Sequence, residues 1–109
     1  SMRTILKTLR HQRLTFTATF ERYGHKPDYN GFPVKTILFR NVKREGMEVC
    51  DHIWFIVTKS FEKIGPLQQG DLVQFDARVS KYIKGYISRN EDNSNMDYRL
   101  SHPTKTKKL

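Results

Sequence analysis

Two stretches of this chain gather the side chains that could act on another molecule. Tyr23, His25, Lys26, Tyr29 and Phe32 fall in or just before residues 24–34, and Lys81, Tyr82, Lys84, Tyr86 and Arg89 fall in residues 81–96. Rings beside cations make a chemistry of binding. A nucleobase stacks on an aromatic face for about 1–3 kcal/mol, while a nearby cation tracks the phosphate chain. Lys35, Arg40, Arg44 and Arg78 add charge in the segments between, and Trp54 adds the largest ring. Each has a plainer use as well. Phe32 is expected to fold back and bury apolar area as a loop anchor, and Tyr98 to pack within a strand. Pairing of Arg40 with Glu21, or of Arg78 with Asp76, would contribute little at a surface.

Cys50, Asp51 and His52 set a thiol, a carboxylate and an imidazole side by side. Neighbours along a strand point to opposite faces, so Asp51 is expected to point away from His52, while Cys50 and His52 share a side. A nucleophile needs a base and an orienting group within reach. The triplet therefore reads as a packed cysteine and a polar strand histidine. Zinc fits no better, because one cysteine and the scattered His11, His25, His52 and His102 lack paired ligand spacing. No Gly-rich phosphate cradle is present. Glu91 and Asp92 have no apolar flank that would turn a carboxylate into a general acid. No catalytic residue, metal ligand or cofactor is expected.

Charge points the same way as the rings. Lys and Arg number 20 against 11 acids, for a net charge of +9. Residues 1–13 hold Arg3, Lys7, Arg10 and Arg13 with no acid, and residues 98–109 hold Arg99, Lys105, Lys107 and Lys108 with no acid. The ends thus account for eight of these charges and the body between them is nearly neutral, a footprint suited to a polyanion, unless the ends are merely solvated tails. One cysteine excludes an internal disulfide and fits a reducing compartment. No run approaches the roughly 18 apolar residues of a spanning helix and no leader is apparent, so a cytoplasmic protein without membrane contact is expected.

The elements that must hold these groups are strands. Leu14, Phe16, Ala18 and Phe20 alternate with threonines and Glu21 over residues 14–23, and Val73, Phe75, Ala77 and Val79 alternate with Gln74, Asp76, Arg78 and Ser80 after a Gly70-Asp71 turn. Period-two alternation marks a strand with one dry and one wet face. Residues 24–34, with two prolines and two glycines, read as a long loop. Residues 35–42 and 49–58 read as a hairpin around the turn 43–46. In its second arm either Ile53, Phe55 and Val57 face inward with Trp54 and His52 outward, or the reverse. The first phase is favoured because it buries more β-branched surface, and a bulge would accommodate both. Phe61, Ile64 and Leu67 fit a helical turn with Ser60 as its N-cap, residues 90–97 a polar loop, and residues 97–103 a last strand. Residues 1–13 form a basic arm, either a short helix or an extension of the first strand; 14–103 form the folded body; 104–109 form a basic tail.

Three strands, a short helix and two more strands, with Gly70-Asp71 leading into Val73, Phe75, Ala77 and Val79, resemble the oligonucleotide-binding (OB) fold. The chain resembles small bacterial and mobile-element single-strand-binding proteins, and its ending Lys105-Thr-Lys-Lys-Leu109 departs from the Gly- or Gln-rich acidic tail of the housekeeping members, so a conventional replication-tail partner is not expected. The resemblance implies an all-β, five-stranded Greek-key barrel with one short helix between strands three and four. It also implies a ligand face on strands two and three, walled by the loops of residues 24–34 and 81–96. The function it implies is non-enzymatic binding of single-stranded nucleic acid, DNA ahead of RNA, with little sequence preference, in replication, recombination or repair. A protein-interaction adaptor or inhibitor is the alternative, and a small Cys/His enzyme comes after both. Oligomeric state is not legible.

Overall fold

The alternating apolar positions at residues 14–20 and 73–79 meet as partners in one ladder. The computed structural model describes residues 12–83 and 96–109, with the side chains of 12–80 and 100–109. Strand β1 (Arg13–Pro27) sets Phe16 opposite Phe75 and Ala18 opposite Val73 of strand β4 (Leu72–Ile83). Phe16, Ala18, Phe20, Val73, Phe75, Ala77 and Val79 are all buried, whereas Thr15, Thr17, Gln74 and Asp76 keep contact with solvent.

Strands β2 (Pro33–Arg44) and β3 (Met47–Ile56) form the expected hairpin. Its two-residue turn has φ of 52° at Glu45 and 81° at Gly46, the left-handed pair whose twist suits antiparallel strands and which glycine adopts without strain. Helix α1 (Lys59–Glu62) is a single turn, and β5 (Met96–Lys108) closes the chain. The five strands form one antiparallel sheet in the order β3-β2-β1-β4-β5. Among the described residues no ladder joins the edge strands β3 and β5, so the sheet curls around its core without closing.

Phe39 sits at the centre of that core. It is fully buried, and its ring centroid lies 5.5 Å from Phe61, 5.6 Å from Phe75, 6.3 Å from Phe55 and 6.4 Å from Phe20. Helix α1 contributes Phe61 to this cluster and is tied to the last strand. The Ser60 hydroxyl donates to Thr106 Oγ1 at 3.0 Å, and the Thr106 hydroxyl donates back to the Ser60 carbonyl. Thr58, not Ser60, occupies the N-cap, and it makes no side-chain cap bond.

Ile53 and Phe55 face the core while His52 and Trp54 are exposed, which is the favoured phase for β3. A register shift between Val42 and Lys43 lets consecutive Val49 and Cys50 both be buried.

Strand boundaries differ from expectation in three places, the first being residues 81–83 and 96–97, expected as loop, which are the paired ends of β4 and β5. Residues 24–34 are mostly strand, because Pro27 and Pro33 pair at the very end of the β1–β2 ladder, where a missing N–H disrupts little; only residues 28–32 make the turn. Strand β5 runs past Pro103 to Lys108, so residues 104–108, expected as tail, are strand. Two register shifts against β4 absorb the irregularity, and Thr106 is buried. Residues 1–11 and 84–95 lie outside the described residues.

Candidate functional site

Because Ile37 and Phe39 point into the core, Leu38 between them points out, flanked by its cross-strand partners Arg22 on β1 and Trp54 on β3. Leu38 is nonetheless only 2% exposed. The indole of Trp54 runs diagonally across β2 and reaches Gly24 on β1. A Cβ at Gly24 would lie 3.1 Å from Trp54 Cζ3, 3.2 Å from Cη2 and 3.1 Å from Thr36 Oγ1. Gly24 sits in strand backbone with no positive φ, so what it provides is room for the ring. Sheet supports one side of the indole, and the residue remains 44% exposed. The Arg22 guanidinium carbon stands 5.5 Å from the ring centroid, a contact worth about 0.5–1 kcal/mol at an exposed site.

Gly24→Ala is expected to push the indole off its seat, since the ring has solvent to move into and the strands do not. Emission from the chain's single tryptophan should shift to longer wavelength and quench more readily with acrylamide, at a stability cost of about 1 kcal/mol. An unchanged spectrum would show that the close approach does not position the ring.

Beside this platform a groove of about 670 Å³ opens along the seam between the two sheet edges. Trp54, Phe55 and Ile56 of β3 line one wall and residues 100–103 of β5 the other, with His25 and Lys26 at one end. The site is thus an apolar trough with a ring on its lip and cations near it.

The structure brings three of the sequence-selected residues, His25, Lys26 and Trp54, to this groove. Tyr23 and Lys35 sit together elsewhere, beside α1. Tyr23 packs on Phe20 at 4.8 Å and accepts a hydrogen bond from the Leu67 N–H at 3.1 Å, and Lys35 Nζ stands 4.2 Å from the Tyr23 ring centroid. Tyr29 is fully exposed at the β1–β2 turn. Phe32 is no anchor, being 66% exposed. The Asp28 carboxylate holds the turn instead, accepting from the N–H groups of Asn30 at 2.8 Å and Phe32 at 2.9 Å.

Arg40 lies across from His52, with Nε 3.2 Å from Glu21 Oε1, and Arg44 pairs with Glu45 at 3.2 Å at the hairpin turn. Arg78 is exposed on β4 between Arg13 and Ser101, away from β2 and β3, and Asp76 there accepts from Thr15 Oγ1 at 2.6 Å. Lys81 and Tyr82 belong to β4 by backbone; their side chains, and Lys84, Tyr86 and Arg89 entirely, lie outside the described residues.

Two expectations about the Cys50 triplet are corrected. Cys50 and His52 do not share a side, since the register shift opposite Cys50 leaves it buried while His52 is exposed. Asp51 Oδ1 lies 3.3 Å from His52 Nδ1, because β3 is an edge strand and both exposed side chains can bend around its free side. The Cys50 thiol is buried and donates to the His52 carbonyl at 3.1 Å. Among the described residues no group of three or more His, Cys, Asp or Glu could hold a metal ion, and no helix is long and apolar enough to cross a membrane.

Sequence reasoning missed Arg22, Gly24 and Leu38. A register shift between Phe20 and Arg22 breaks the parity of β1 at that point, and the approach of Trp54 to Gly24 is a contact across three strands that no local pattern carries. Comparison of the chain with protein-family models, curated proteins and solved structures finds no match.

Proposed function

We propose that this chain is a non-enzymatic binder of single-stranded nucleic acid, DNA ahead of RNA, with little sequence preference. The observation that carries the reading is the seat of Trp54, a half-open indole set against Gly24 with Arg22 beside it and Lys26 lining the adjoining groove. A supported ring with cations around it gives a base a face to stack on and its phosphates partners to neutralise. The strand order supports an OB-like architecture. Bringing β3 against β5 would complete a five-stranded Greek-key barrel with its helix between the third and fourth strands, and OB barrels are partly open. The ligand face of that fold lies on strands two and three, the latter being the strand that carries Trp54.

Binding proceeds by electrostatic capture on a chain of net charge +9, followed by stacking. The test is fluorescence anisotropy of a labelled oligonucleotide at graded salt. If Arg22, Lys26 and Arg40 each neutralise one phosphate, log K falls against log salt with a slope of about −2. Tight binding indifferent to salt contradicts the mechanism, and absence of binding removes the function.

A second reading, a protein-interaction adaptor, draws on Tyr29 and Phe32, two exposed rings on one self-bonded turn. It predicts that Tyr29 and Phe32, and not Trp54, govern binding.

A further inference from the structure

Strand β5 departs from regular backbone at His102, where φ is 54°, next to a register shift in its ladder with β4. Left-handed backbone is unfavourable for a residue that carries a Cβ. Here it is held in place from outside the strand: Arg13 Nη2 donates to the His102 carbonyl at 2.6 Å and to Thr104 Oγ1 at 2.5 Å. The imidazole is fixed too, with Nδ1 3.1 Å from Ser101 Oγ. A bulge of this kind re-aims a side chain, and His102 lines the groove across from Trp54. Strain maintained by neighbouring groups at a groove wall is the mark of a position kept for use.

We infer that His102 is a ligand contact and that the bound strand crosses the open seam, with a base on Trp54 and a phosphodiester oxygen accepting a hydrogen bond from His102 Nε2. In the tautomer this requires, Nδ1 accepts from the Ser101 hydroxyl, 3.1 Å away, and the ring proton on Nε2 is free to donate. The occupant is polyanionic because Lys26 lines the same groove and Arg22 stands beside its lip. The inference rests on the nucleic-acid reading above and adds to it a second wall on the last strand, to which sequence reasoning assigned no ligand contact.

Two variants of the full chain test it, each measured by thermal melting and by anisotropy with a labelled oligothymidylate. His102→Gly fits left-handed backbone and removes the donor, so it should melt a few degrees higher and bind about tenfold more weakly. His102→Gln restores an amide donor near the place of Nε2, so it should bind within about threefold of wild type without melting higher. Stability and affinity then move in opposite directions, which a merely structural residue would not show. Wild-type affinity in His102→Gly, equal weakening in both variants, or a lower melting temperature for His102→Gly would each overturn the inference. If those results appear while Trp54→Ala still weakens binding, the nucleic-acid reading stands and only the second wall is lost. If the wild-type chain does not bind the oligonucleotide, both fall together.

Discussion

Trp54→Ala is expected to weaken oligonucleotide binding by about 5- to 150-fold, the equivalent of the roughly 1–3 kcal/mol a base gains by stacking on an aromatic face. The ring is suited to that loss because it is already ordered in the free protein. Its close approach to Gly24 limits where it can sit, so less side-chain freedom remains to be lost when a base arrives. Folding should be affected far less, because the residue is 44% exposed and lies outside the phenylalanine cluster. The same ring supplies a direct readout. As the chain's single tryptophan, Trp54 should lose fluorescence as oligonucleotide is added to the wild type. Trp54→Phe should retain part of the affinity. An unchanged Kd in Trp54→Ala, with melting intact, would leave the groove without its principal contact and the proposal without its carrying observation.

Phe39→Ala should cost about 3–5 kcal/mol of stability, measured as a fall in the urea midpoint at unchanged slope. Its ring touches the clusters contributed by β1, β3, β4 and α1, so truncation opens a hole where four elements meet, and none of them can move in without breaking its own ladder or turn. Domains of this size have about 5–15 kcal/mol in total, so a large part of the margin goes with one side chain. A loss below about 1 kcal/mol would mean that the core collapses around the gap.

Strand parity was legible wherever one face is dry along a whole segment. Phe16, Ala18 and Phe20, and Val73 to Val79, alternate without interruption, and their pairing follows. Parity fails where the backbone slips. The shifts near Phe20, near Val42 and twice in β5 each change which neighbours share a face, and composition around them gives no warning. Proline misled in the region of 24–34 because it forbids central strand positions and not terminal ones, and Pro27 faces Pro33 at the ladder's end. At the site, His25, Lys26 and Trp54 could be picked out by residue type. Tyr23 could not be separated from them, since a tyrosine that bonds the Leu67 N–H looks the same in sequence as one that awaits a base.

Leaving the sheet unclosed has a consequence for the molecule in crowded solution. Each free border offers unpaired backbone groups to any other extended chain, the usual starting point for runaway self-association. The border formed by β5 is broken by left-handed residues at His102 and Lys105 and studded with Lys107 and Lys108, while β3 carries Glu48 and Asp51. Irregular backbone and fixed charge discourage annealing of this sort, so the open seam is shielded from the protein's own kind.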